Sequence, residues 1–171
     1  MKAAEGMRVD LGGIGKGFAV DRMADMLKER GVESFCIDST SDVLAGAPPP
    51  GMQGWKLRVA VREGRLEQRL VSHAAVSTSG DAHQFAEIGG VAYSHVLDPA
   101  TGLGVTEGRQ VSVQAPAAAL ADALSTAACV MPEEAFRALA GKIPGVSVLG
   151  FFRHPPPGNE QGRASSGQKV P

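Results

Sequence analysis

Apolar residues recur with helical spacing over residues 17–30, where Val20, Met23, Ala24 and Leu27 fall at i, i+3, i+4 and i+7 and Gly31 follows where a C-terminal cap belongs. This predicts an amphipathic helix. Farther along the period shortens to two, and Trp55, Leu57, Val59 and Val61 alternate with Lys56, Arg58 and Ala60 as in a half-buried strand. Arg62-Glu63-Gly64-Arg65 then predicts a hairpin turn into a strand over 66–72. Shorter extended stretches are expected over 33–38, 76–78, 93–97, 110–115 and 146–152. Residues 117–130 are rich in Ala and Leu and read as a second long helix, and Pro132 suits the first turn of a short third one. The pattern predicts an α+β fold, a mainly antiparallel sheet with the 17–30 and 117–130 helices over one face.

At 171 residues, 43% hydrophobic and 20% charged, the chain has material for one core rather than two. A single domain over 1–154 is expected, with a loop at Pro48-Pro49-Pro50-Gly51. The stretch 155–171, rich in Pro, Gly, Ser and Gln, is expected to be disordered. Seventeen Lys plus Arg against 18 Asp plus Glu leave a formal net charge of -1, so no overall field steers the chain to nucleic acid or an anionic membrane. An anionic ligand must be held locally. No apolar run reaches the roughly 18 residues of a membrane span, and Met1-Lys2-Ala3-Ala4-Glu5-Gly6 lacks the apolar segment of an export signal. Cys36 and Cys129 fit no metal-binding or Cys-x-x-Cys pattern and read as small core residues without a disulfide.

Four segments carry candidate chemistry. In Asp10-Leu11-Gly12-Gly13-Ile14-Gly15-Lys16-Gly17 a glycine-rich turn enters the first helix. Backbone N–H groups beside a helix N-terminus, with Lys16 near, suit a phosphate or pyrophosphate. The glycine spacing matches neither a Walker A loop nor a Rossmann fingerprint, and a plain glycine turn with Lys16 solvated is the equal alternative. In the later helix Asp122, Ser125 and Thr126 stand at i, i+3 and i+4 and share one face. A carboxylate with two hydroxyls suits Mg²⁺; the bland alternative is an exposed Asp122 with both hydroxyls bonded to the preceding turn. His95 lies in Tyr93-Ser94-His95-Val96-Leu97-Asp98-Pro99-Ala100-Thr101-Gly102, read as a strand entering a turn, and is either a general base or a structural histidine. Ser77-Thr78-Ser79-Gly80-Asp81 is either a phosphate-facing loop or a hydroxyl-capped turn leading into a short helix, and the turn is favoured.

Taken in order, DLGGIGKGFAVD, VSTSGD, YSHVLDPATG and ADALSTA closely resemble the ApbE-like FAD:protein FMN transferases, over about residues 9–149. The resemblance implies a Mg²⁺-dependent enzyme that splits FAD and transfers FMN to a Ser or Thr hydroxyl of an acceptor protein, releasing AMP. It implies that Asp10, Lys16 and Leu97 contact FAD. It further implies that Gly13, through its backbone oxygen, and Asp122, Ser125 and Thr126 hold the metal, and that His95 is the catalytic base. Relatives carry a further N-terminal region that adds contacts to FAD, while this chain begins nine residues before Asp10. They usually read Gly-Gly-Asp where this chain has Thr40-Ser41-Asp42, so side chains at that turn are expected to crowd the site. Many carry Pro after the turn where this chain reads Leu103-Gly104-Val105. A non-catalytic relative that binds metal or flavin nucleotide, and a structural fragment, are the alternatives. Many relatives are exported lipoproteins, but the sequence itself assigns no compartment.

Overall fold

The computed structural model describes residues 9–63, 65–80 and 85–153. Its central element is a five-stranded antiparallel sheet in the order β1-β2-β5-β8-β9, built from β1 (Cys36–Ser39), β2 (Asp42–Ala45), β5 (Ala74–Gly80), β8 (Arg109–Ala115) and β9 (Ser147–Arg153). Two separate hairpins complete the strands: β3 (Trp55–Arg62) with β4 (Arg65–Val71), and β6 (Phe85–Ile88) with β7 (Val91–Ser94). The helices are α1 (Gly15–Glu29), α2 (Ala118–Val130) and α3 (Glu133–Ala140), the last with Pro132 at its N-cap. This is the α+β arrangement expected from the pattern.

The register sorts side chains onto two faces, because neighbours along a strand point opposite ways. Leu44 pairs with Ala75 and Ala75 with Ala115, and these pack with Val20 and Ala24 of α1 and Ala118 and Ala121 of α2. The same face continues into a cluster of Val111, Val113, Leu124, Ala128 and Phe136 under α2 and α3. On the opposite face Ala45 and Val76 pack with Val59 and Val71 of the β3–β4 hairpin. The molecule is therefore helices, sheet and hairpin in three layers. The alternating strand at Trp55 belongs to this covering hairpin, not to the main sheet.

Three expectations are corrected. The Ser77-Thr78-Ser79-Gly80 stretch is no turn into a helix: β5 runs through Gly80, paired on both sides with β2 and β8. A polar strand is tolerated there because its hydroxyls find partners on either face, Ser77 and Ser79 on Ser125 and Thr78 on Ser112. The 93–97 strand ends at Ser94, whose Oγ accepts the Val96 N–H at 3.0 Å and turns the chain. The first sheet strand starts at Cys36 rather than at 33, since Glu33 and Phe35 use their carbonyls on Ala47 and Gly46 outside a regular ladder. Asp81 and the 155–171 stretch lie outside the described residues. Among the described residues no helix is long and apolar enough to cross a membrane.

Candidate functional site

Gly17 brings the two long helices together. A Cβ there would lie 2.3 Å from the Ala118 carbonyl oxygen, so only glycine permits this approach of α1 to α2. Neither helix has a capping side chain of its own, Ile14 and Ala117 occupying the N-cap positions. Each is capped by the other. Asp122 of α2 accepts the Gly17 N–H at 3.0 Å, and Asp21 of α1 accepts the Ala118 and Ala119 N–H groups at 2.8 and 2.9 Å. The anion at the α1 N-terminus is thus a side chain of the protein itself.

Asp122 is fully buried rather than exposed, and its second oxygen accepts from Lys16 Nζ at 3.1 Å. Lys16 also stands 3.4 Å from Asp42, a second fully buried carboxylate, so the part-exposed ammonium bridges two acids. Burial pulls the Lys16 ammonium towards its neutral form, but the hydrogen bond to Asp122 and the charges of Asp42 and Asp122 outweigh it and raise its pKa. Asp42 lies at the start of β2 behind the Thr40-Ser41 turn; Ser41 Oγ donates to it at 2.9 Å. The turn is strained, with Thr40 at φ 55°.

The shared face of α2 divides its labour. Ser125 is fully buried and meets Ser77 Oγ at 3.0 Å and Ser79 Oγ at 2.7 Å, while its own hydroxyl donates back to the Asp122 carbonyl. Thr126 reaches Ser79 at 3.2 Å and lines an open cavity of about 900 Å³. Asp10, Gly12, Gly13, Lys16, Thr40, Ser41, Thr78, Ser79, His95 and Leu97 line the same cavity. Its size is within the ~300–1,000 Å³ of small-molecule sites. Asp10 folds over the glycine turn and accepts the Gly12 N–H at 2.6 Å. His95 is exposed in the bend after β7, and Leu97 is exposed beside it. Asp98 closes the following turn by accepting the Ala100 N–H at 2.8 Å.

All the expected site residues except Asp122 and Ser125 line this cavity; those two stand directly behind it. Asp21 was given no role by pattern alone, Asp42 entered only as part of the Thr40-Ser41-Asp42 turn, and Ser77 only as part of a candidate loop or turn. The uncapped starts of α1 and α2 were the available signal for Asp21.

Among the described residues no group of three or more His, Cys, Asp or Glu gathers as a metal centre. A cation here must be held by few carboxylates and neutral oxygens, which is the donor preference of Mg²⁺. The residues fit such an ion. Gly13 packs so close to Thr126 that a Cβ would lie 3.0 Å from its Cγ2, leaving the Gly13 backbone bare beside the Thr126 hydroxyl. Two buried carboxylates balanced by one ammonium leave the cluster with excess negative charge, and Asp42 Oδ1 has no hydrogen-bond partner among the described residues.

A family model described as "ApbE family" matches residues 1–149. The FAD:protein FMN transferase of Treponema pallidum is 34% identical over 163 residues, covering 88% of this chain and 45% of the relative. The protein of the same description from Vibrio cholerae is 36% identical over 152 residues, 82% of this chain and 44% of the relative. The solved flavinyl transferase ApbE of Pseudomonas stutzeri, in its apo form, superposes with a TM-score of 0.69 at 29% identity, over 85% of this chain and 49% of that one. The chain spans a little under half the length of the relatives it matches.

Proposed function

This chain belongs to the ApbE family, and from that premise we propose that it carries the catalytic portion of a FAD:protein FMN transferase. The observation that supports the reading is the convergence of four separate segments, the glycine turn, β5, the His95 bend and α2, on one cavity. Asp10, Lys16 and Leu97 would hold FAD, Lys16 offering its ammonium to the pyrophosphate and Leu97 an apolar surface to the flavin nucleotide. Asp122, Thr126 and the Gly13 backbone oxygen would hold Mg²⁺, and Ser125, its hydroxyl already engaged by Ser77, Ser79 and the Asp122 carbonyl, would brace them from behind. When bound, the ion would neutralise pyrophosphate charge.

The nucleophile is a Ser or Thr hydroxyl of the acceptor protein. His95 accepts its proton as the oxygen attacks the FMN phosphorus; the bond from that phosphorus to the bridging oxygen breaks, and AMP leaves with that oxygen. A residue for this task must be reachable by a macromolecule, and the exposed bend after β7 supplies that access. The lack of a Ser-His-Asp or Cys-His nucleophile among the motifs follows from the acceptor bringing its own.

The experiment compares the chain with its His95→Ala variant, measuring FAD affinity by flavin fluorescence and the rate of covalent transfer separately. Loss of a positioned base should slow transfer by about 10²- to 10⁴-fold and leave FAD affinity within about threefold. Unchanged transfer would remove His95 from the chemistry. Binding of FAD with no transfer by the unaltered chain would favour a nucleotide-binding relative over an enzyme.

A further inference from the structure

Lys16 presents a conflict that the rest of the site must resolve. Its ammonium donates to Asp122 Oδ1, an oxygen of the carboxylate assigned above to a divalent cation. Two cations cannot share that oxygen without strong repulsion at low local dielectric. The Asp122 Oδ2 atom is already engaged as the cap of α1 through Gly17. The lysine head is 46% exposed on a flexible stem, so it can turn at small cost. Within its present reach, 3.4 Å away, stands Asp42, fully buried and with Oδ1 unpartnered among the described residues. A buried carboxylate with an open oxygen is costly unless a positive charge arrives.

We propose that Asp42 is a positioning residue that takes over the Lys16 ammonium when a divalent cation binds Asp122. Lys16 pivots from a shared position onto Asp42 alone. It thereby vacates Asp122 Oδ1 while staying in the cavity wall. The inference rests on the reading of Asp122 as a cation ligand. It differs from a general field effect, in which Asp42 would merely add negative charge to the site.

The test is a double-mutant cycle on Mn²⁺ affinity, followed by the electron paramagnetic resonance of free Mn²⁺, with no turnover required. In the presence of Lys16, Asp42→Asn should weaken Mn²⁺ binding about tenfold or more, because the ammonium then has no other anion to accept it. In a Lys16→Met background the same substitution should change affinity by less than about threefold, the coupling being the signature of a direct pair. An equal loss in both backgrounds, or no loss in either, overturns the proposal. No Mn²⁺ binding by the unaltered chain overturns it together with the cation reading, whereas binding with an uncoupled cycle overturns the pivot alone. Should Asp42→Asn fail to fold, a structure of the unaltered chain with Mn²⁺ decides. Lys16 Nζ should then be hydrogen-bonded to Asp42 and withdrawn from Asp122, and an ammonium retained on Asp122 contradicts the proposal.

Discussion

Thr40 holds a φ of 55° on the cavity rim, a conformation in which a β-branched side chain crowds its own backbone. Strain of this kind costs on the order of 1–3 kcal/mol, and glycine gives part of the relief back through unfolded-chain entropy. Thr40→Gly should therefore raise stability by about 1 kcal/mol in denaturant unfolding; a loss would show that the Thr40 hydroxyl, which donates to the Ser39 carbonyl, outweighs the strain. Asp122 is the opposite case, a buried group whose partners all depend on it. Asp122→Ala should cost about 2–4 kcal/mol, since it strands the Gly17 N–H and half the partners of Lys16. Asp122→Asn keeps the shape and should recover most of that stability while still losing divalent-ion affinity, so the pair separates folding from binding in calorimetry. Helical spacing alone placed Asp122, Ser125 and Thr126 on one face. It did not reveal that Thr126 faces the cavity while Ser125 is spent on Ser77 and Ser79, because that division is set by β5, far away in sequence.

At the level of elements, the two long helices exchange caps, Asp21 serving α2 and Asp122 serving α1. The site's geometry thus depends on the same contacts that start the helices. Removing Asp21 leaves Ala118 and Ala119 N–H groups without their carboxylate, so Asp21→Ala should destabilise by about 1–2 kcal/mol. Because α2 carries the proposed cation ligands, the same variant should also weaken Mn²⁺ binding; unchanged stability would deny the exchange its structural role. The 3.6-residue period made α1 legible and Ala/Leu richness made α2 legible; in the structure Ile14 and Ala117 stand at their N-caps without a capping side chain, so something else must satisfy them. Which residue did so was not legible, since a carboxylate in mid-helix looks solvated until its partner helix is placed. The same reason hid the extent of β5: residues 76–78 read as extended, but Ser79 and Gly80 carry turn propensity locally, and pairing with β8 and the contact of Ser79 with Ser125 keep them in the strand.

Across the whole molecule the sheet and helix layers are tied at the start of β8 by Arg109, a buried guanidinium that donates to the Met131 carbonyl at the end of α2 and pairs with Glu107, which Arg153 of β9 also reaches. The hydrogen bond from Arg109 holds the Glu107 carboxyl below its ordinary value of 4.5, against a smaller opposing effect of burial. A depressed carboxylate stabilises fully above its unfolded value, and that stability is lost as pH falls through the folded one. The stability difference between the chain and Glu107→Gln should accordingly be present at neutral pH and vanish as pH drops below 4.5; a difference that persists in acid would mean the side chain acts by packing. The alternation of strands and helices announced the α+β class, but the hairpin that covers the second face was legible only as a strand pair, not as a separate layer. The sheet and helix layers hold in place the cavity that we propose moves FMN from FAD to an acceptor protein. The most direct test of that transfer incubates the chain with FAD, Mg²⁺ and a flavinylatable acceptor domain and reads covalent flavin fluorescence on a denaturing gel beside a full-length relative. A fluorescent acceptor band that depends on Mg²⁺ and fades with His95→Ala is the predicted result; a dark acceptor, from this chain and from an N-terminally extended version of it, while the relative labels it, would contradict the account.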